Sequence, residues 1–215
     1  MSENLFETQY DVTKKSKFRR FYDSNKFLIF TSTFIFLILL ASVVFYLDQK
    51  EKKRILASDN YIQAKIYLAN GDKASAKNIL REAVFANDTT YSTLSIFLIL
   101  DQKLIEDERE LSALFDHLLE NNKFDEEVEH LLIYKKMLLE ANYNNELEIL
   151  KVAKPLLNSN TLWKAHALLF LGDYFSSKKQ NIKAKEFYSQ IFVIKNLHND
   201  LYEQARLQLA LIAND

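Results

Sequence analysis

YIQAKIYLANGDKASAKNILREAV, residues 61–84, decides how the larger part of this chain folds. Ala64 is small, Tyr67 stands one turn further on, and Gly71 ends the first apolar run. After Asp72 the pattern resumes, with Ala76, Leu80 and Ala83 on one face of a second helix. Two helices closed by Asn-Gly-Asp make a hairpin. Small residues at the crossing let the backbones approach, and an aromatic ring fills the wedge beside them. The scheme recurs in LLFLGDYFSSKKQNIKAKEFYSQIF, residues 168–192, through Leu168, Leu171, Gly172, Phe175, Ala184, Tyr188 and Ile191. Ala64 to Ala76 is a step of 12 residues, and so is Gly172 to Ala184.

Outward from these two hairpins the apolar spacing stays helical. The expected helices cover 50–70, 73–86, 90–103, 106–121, 124–141, 143–157, 161–178, 181–195 and 199–213. Asn and Asp mark the breaks, at Asn70, Asn87, Asn121, Asn142, Asn158 and Asn196 among others. Asn tolerates the left-handed conformation that ends helices, and both residues cap helix starts. Two glycines, one proline and no cysteine leave little material for tight β-hairpins and none for disulfides or thiolate metal sites. Placing Ile99 and Tyr134 where Ala64 and Gly172 stand gives steps of 35, 35 and 38 residues. Leu111, Phe115 and Leu118 then supply one second helix, and Leu150 and Ala153 the other. Ile99 and Tyr134 are bulky, so these middle hairpins are expected to cross at a wider distance. Tyr202 to Ile212 reads as a closing cap.

At the other end, FLIFTSTFIFLILLASVVFYL, residues 27–47, carries no charge, Gly or Pro. As a helix it is about 31 Å long, the thickness of a bilayer's hydrocarbon core. Thr31, Ser32, Thr33 and Ser42 can bond carbonyls one turn back. The run is longer than the apolar core of a cleaved signal peptide and ends in bulky Val43-Val44-Phe45-Tyr46, so a retained signal anchor is expected. The chain thus divides into a head (1–26), a transmembrane helix (27–47) and a helical domain (48–215).

The net charge of −1 conceals a bias. Lys14, Lys15, Lys17, Arg19, Arg20 and Lys26 precede the span, against Glu3, Glu7, Asp11 and Asp23. Phe18, Phe21 and Tyr22 interleave with these bases. Such a segment suits an anionic lipid surface with aromatics at the interface, in preference to nucleic acid. Six bases before the span outweigh Lys50, Lys52, Lys53 and Arg54 after it. The head is therefore expected in the cytoplasm and the domain outside. The nearly neutral domain gives no electrostatic reason to bind nucleic acid.

The hairpin period resembles that of the tetratricopeptide repeat, about 34 residues. Gln63 stands where an apolar residue is usual, and Asp88 and Asn196 where proline is usual. The expected fold is therefore all-α, a single membrane helix followed by a tetratricopeptide-like α-hairpin superhelix. The whole layout resembles the YfgM-like family, the ancillary subunit of the bacterial Sec translocon. The residues that carry this resemblance are Ala64, Tyr67, Gly71, Asp72 and Ala74, then Lys154-Pro155-Leu156-Leu157, Trp163 and Leu171-Gly172-Asp173. It implies a bacterial inner-membrane protein with a periplasmic domain. Its implied partners are Sec translocon subunits and a membrane-anchored periplasmic prolyl isomerase or other chaperones.

No catalytic constellation stands out. His117, His130, His166 and His198 are scattered, with no HExxH motif. Glu106-Asp107-Glu108 and Asp125-Glu126-Glu127 sit at helix starts, where the macrodipole favours them as caps. Gly71 and Gly172 are lone glycines and form no phosphate loop. The reading is a non-enzymatic scaffold without cofactor. A cytosol-facing adaptor and a membrane-bound enzyme stand as the alternatives. In tetratricopeptide arrays the first helix of each hairpin lines the concave face. That register puts Tyr61, Phe97, Leu100, Leu132, Lys135, Phe170 and Asp173 toward a groove suited to an extended peptide. SIFLIL and LLIYKKMLL are apolar nearly all round, so plain core competes with that reading.

Overall fold

The computed structural model describes residues 17–195, 197 and 199–213. Among them the chain is all-helical, with nine helices: α1 (Lys17–Ala69), α2 (Lys73–Phe85), α3 (Tyr91–Asp101), α4 (Glu108–Asn121), α5 (Glu126–Glu140), α6 (Glu146–Leu157), α7 (Trp163–Ser177), α8 (Asn181–Ile191) and α9 (Asn199–Ala213). Two compact units meet between Glu51 and Lys52. Lys14 and Lys15 of the basic head, its acidic Glu3, Glu7 and Asp11, and also Asn196 and His198 lie outside the described residues.

In the first unit α1 is already helical at Lys17, well before the apolar run. Nothing from Lys17 to Lys26 is Gly or Pro, so no residue there stops a helix. No side chain between Phe27 and Leu47 is buried. The Thr31, Thr33 and Ser42 hydroxyls donate to the carbonyls of Phe27, Ile29 and Ile38, each at 2.8 Å. Their polarity is thereby absorbed within the helix, as lipid requires. Among the described residues, α1 is the helix long and apolar enough to cross a membrane.

In the second unit short turns and side-chain caps set the helix lengths. Gly71 takes φ 78°, and the Asp72 N–H reaches back to the Tyr67 carbonyl at 2.9 Å. The Asp72 carboxylate then accepts from the Ser75 N–H at 3.0 Å and starts α2. Asp107, Asp125 and Asn145 do the same for α4, α5 and α6, accepting from the backbone of Arg109, Val128 and Glu148. Asn87 takes the expected left-handed turn, with φ 58°. Lys103 and Lys179 also adopt positive φ, 50° and 59°; the spacing put Lys103 at the end of the 90–103 helix and Lys179 in the gap before the 181–195 helix. The bonds that follow them, Leu104 N–H to Ile99 O and Gln180 N–H to Phe175 O, match the Gly71 turn.

Two apolar clusters make the core. One joins Ala64, Leu80, Val84, Ile96, Ile99, Leu111, Phe115, Leu118 and Leu132. The other joins Met137, Ile149, Ala153, Leu168, Leu171, Phe175, Ala184, Tyr188 and Ala205. Helix α5 serves both: Val128, Leu132 and Leu139 go to the first, while Ile133, Tyr134 and Met137 go to the second. That is why LLIYKKMLL is apolar on nearly every side.

From α2 onward successive helices pack on one another, and α7 and α8 make the most extensive contact. Gly172 is the reason, because the Tyr188 ring lies where a side chain at 172 would stand. Helices α3 and α4 touch sparingly, as the bulk of Ile99 led us to expect. Helices α5 and α6 pack extensively in spite of Tyr134. The Tyr134 ring is accommodated elsewhere, against Trp163 and His166 of α7. Contacts also skip one helix, α2 to α4, α5 to α7 and α7 to α9.

Candidate functional site

Helices α5 and α7 bring three rings together. Tyr134 lies 5.5 Å from Trp163 and 5.8 Å from His166, centroid to centroid, and Trp163 lies 5.4 Å from His166. Trp163, His166, Phe170 and Asp173 are spaced by 3, 4 and 3 residues, so they share one face of α7. All three rings of the cluster, and Phe170, are half-buried. Asp173 is exposed, and its Oδ1 accepts a hydrogen bond from the Tyr188 hydroxyl at 2.6 Å.

Electrostatics follow from that placement. Burial raises the Tyr134 phenol above its ordinary value, and the nearby Asp173 charge adds to the shift. Burial lowers His166, so it is neutral at pH 7 and packs as an aromatic ring. Tyr188 is raised strongly, first by burial and then by its bond to Asp173. The site therefore offers flat, neutral rings beside one exposed carboxylate.

The seven residues expected to line a groove fall in different places. Tyr61 is half-buried on α1, its ring 6.2 Å from Tyr91. Phe97 and Leu100 are half-buried on α3, and both pack against the first cluster. Phe97 also lines an open hollow of about 360 Å³ with Thr93, Leu94, Phe124 and Val128. Leu132 has no accessible surface at all and belongs to the core. Its side chain goes to the first cluster because α5 is sandwiched between two cores. Lys135 is half-buried on α5. Phe170 lies 6.4 Å from Tyr174, and Asp173 meets Tyr188. Phe170 and Asp173 thus share a face of α7, whereas Phe97 lines a hollow at the start of α5.

Tyr134, Trp163 and His166 were absent from the expected groove. Tyr134 had been assigned to a crossing position, Trp163 to the family resemblance alone and His166 to packing. The helical spacing of Trp163, His166, Phe170 and Asp173 is the signal that would have grouped these four residues on α7. Tyr134 joins them through the α5–α7 contact, about 30 residues away in sequence.

Among the described residues no group of three His, Asp or Glu side chains is placed to hold a metal ion. Several polar side chains elsewhere are engaged in structure. Glu140, buried on α5, accepts from the Ser112 hydroxyl at 2.7 Å and from Asn144 at 3.0 Å, and pairs with Lys136 at 3.3 Å. Lys136 bridges on to Asp116 of α4. His130 meets the Thr161 hydroxyl at 2.9 Å, and His117 meets the Asn87 amide oxygen at 2.8 Å. Comparison with family models, with curated proteins and with solved structures gave no match to this chain.

Proposed function

We propose that this chain is a single-span, membrane-anchored adaptor without catalytic activity, whose second unit is a tetratricopeptide-like array that holds extended peptide segments. The observation that carries this reading is α1 itself. One helix contains an unburied, uncharged 21-residue run and then, at Ala57 and Ala64, the small buried residues that start the helical domain. Contacts from α5 to α7 and α7 to α9 support repeat-like stacking in the later part of the unit, since in such arrays each first helix touches the next first helix, a contact that α3 and α5 do not make. A lipid anchor confines the array to the membrane plane, which raises its effective concentration near membrane partners.

The partners we propose rest on the resemblance to the YfgM-like family: subunits of the Sec translocon and a membrane-anchored prolyl isomerase or other chaperone. In this reading the head is cytoplasmic and the domain periplasmic, at the bacterial inner membrane. Photocrosslinkers placed at Phe97 and Phe170 in cells test the partner assignment. Adducts with translocon subunits or emerging secreted chains are expected. Crosslinks confined to the span would overturn the role of the array. The exposed Lys50, Lys52, Lys53 and Arg54 directly after the span favour a second reading, an adaptor facing the cytosol. Alkaline phosphatase fused after Asp215 separates the two: activity supports the periplasmic reading, and an inactive fusion supports the cytosolic one.

A further inference from the structure

Asp173 combines features that the other acidic residues of the second unit do not share. It is exposed, yet its Oδ1 is held by the hydroxyl of Tyr188, which has no accessible surface of its own. Among the described residues no cation pairs with it. Glu110, Glu140, Glu146, Glu148 and Glu203 each meet a Lys or Arg side chain. Lys135 stands next to Tyr134 in sequence and forms no ion pair with Asp173. The carboxylate lies on the α7 face that carries Trp163, His166 and Phe170, and close enough to Tyr134 for its charge to be felt there.

A fixed carboxylate beside half-buried aromatic faces is complementary to one kind of group. A guanidinium or ammonium can bond the carboxylate and lie over a ring, where the quadrupole attracts it. An anion would be repelled by Asp173, and a purely apolar side chain would leave the carboxylate's hydration to be stripped without return. We propose that Asp173, Tyr134 and Phe170, which lies one turn before Asp173 on α7, form a receptor for one basic side chain, arginine above lysine, of an extended peptide. Arginine is favoured because its flat fork can bond a carboxylate and stack on a ring at once. Tyr188 acts as a positioning residue that fixes the carboxylate. The proposal rests on the peptide-binding reading above and names the class of segment that this part of the array selects.

The test uses the full-length protein in detergent micelles and two fluorescein-labelled, unstructured peptides. One has a central Arg flanked by Phe, and the other replaces the Arg with citrulline, its neutral isostere. Fluorescence anisotropy should show the citrulline peptide binding about tenfold more weakly, the scale of one charge-assisted contact. In Asp173→Asn the gap should shrink to about twofold, and Tyr188→Phe should fall between. Thermal melts of both variants check folding, and the comparison on the unmodified protein does not depend on them. Equal binding of the two peptides would overturn this proposal and leave the groove reading standing. A tenfold gap that survives in a folded Asp173→Asn would also overturn it. Failure of both peptides to bind would overturn both readings.

Discussion

Gly172→Ala is the sharpest test of how the second cluster is built. A methyl at this position would lie 2.7 Å from Tyr188 Cζ and closer still to Cδ1 and Cε1. These are ring atoms of a fully buried side chain, whose hydroxyl is tied to Asp173, so the neighbour cannot swing aside freely. Forcing an extra carbon into a packed core costs about 1–3 kcal/mol. Displacing the ring also weakens the Tyr188–Asp173 bond, worth about 1.5 kcal/mol at most once the exposure of Asp173 is allowed for. Against this, alanine gains about 0.5–1 kcal/mol over glycine within a helix. The balance is a loss of about 2 kcal/mol, or a fall in Tm of about 4–8 °C for a domain of this size. Circular dichroism melts of the full-length protein in detergent would measure it. The companion variant Tyr188→Ala should itself cost about 3–5 kcal/mol, and Gly172→Ala added to it should cost nothing further. A Gly172→Ala protein as stable as the parent, or additive losses in the double variant, would refute the close approach of α8 to α7.

Lys179→Gly should raise stability by about 1 kcal/mol, because a residue with a Cβ at φ 59° carries a strain that glycine does not; an unchanged or lowered Tm would contradict it. The raised Tyr188 phenol stays neutral in the folded protein while the unfolded chain ionises near its ordinary value of about 10. Its contribution is therefore complete below about pH 10 and is lost as pH climbs above it, so denaturant midpoints should fall on the alkaline side, and less steeply in Tyr188→Phe. Lys136→Met leaves the buried Glu140 carboxylate without its cation, and urea unfolding should show a loss of about 3 kcal/mol; a loss under about 1 kcal/mol would refute the importance of this pair. His166 should behave oppositely to Tyr188. Its pKa is depressed in the fold, so its share of stability is present above about pH 6.5 and drains away as pH falls, and His166→Phe should flatten that acid slope.

Most helix boundaries of the second unit were legible in the sequence because caps and turns here are local chemistry, whereas the span and the expected 50–70 helix are one continuous helix, α1. Asp72, Asp107, Asp125 and Asn145 bond the backbone two or three residues on, so a reader of one segment has everything that acts there. Lys103 and Lys179 were not legible as left-handed turns. No local preference puts lysine there; the docking of the next helix imposes it. That α1 already runs through residues 17–26 was missed for the opposite reason, since a change from charged to apolar side chains is a change of solvent and not of backbone. The candidate site was half legible. Phe170 and Asp173 followed from a helical register, but Leu132 shared that register and lies in the core. Its direction depends on which of two clusters α5 turns it toward. The Tyr134–Trp163 contact depends on α5 reaching past α6 to α7, a tertiary fact that spacing does not encode.

The double duty of α5 bears on how the molecule yields under load. Two oil-like reservoirs share a single wall, and each has its own complement of neighbours on the far side. Denaturation that empties one need not empty the other at the same denaturant concentration. Amide exchange should then sort the second unit into two blocks with separate opening energies, with α5 the last segment of both to let its protons go.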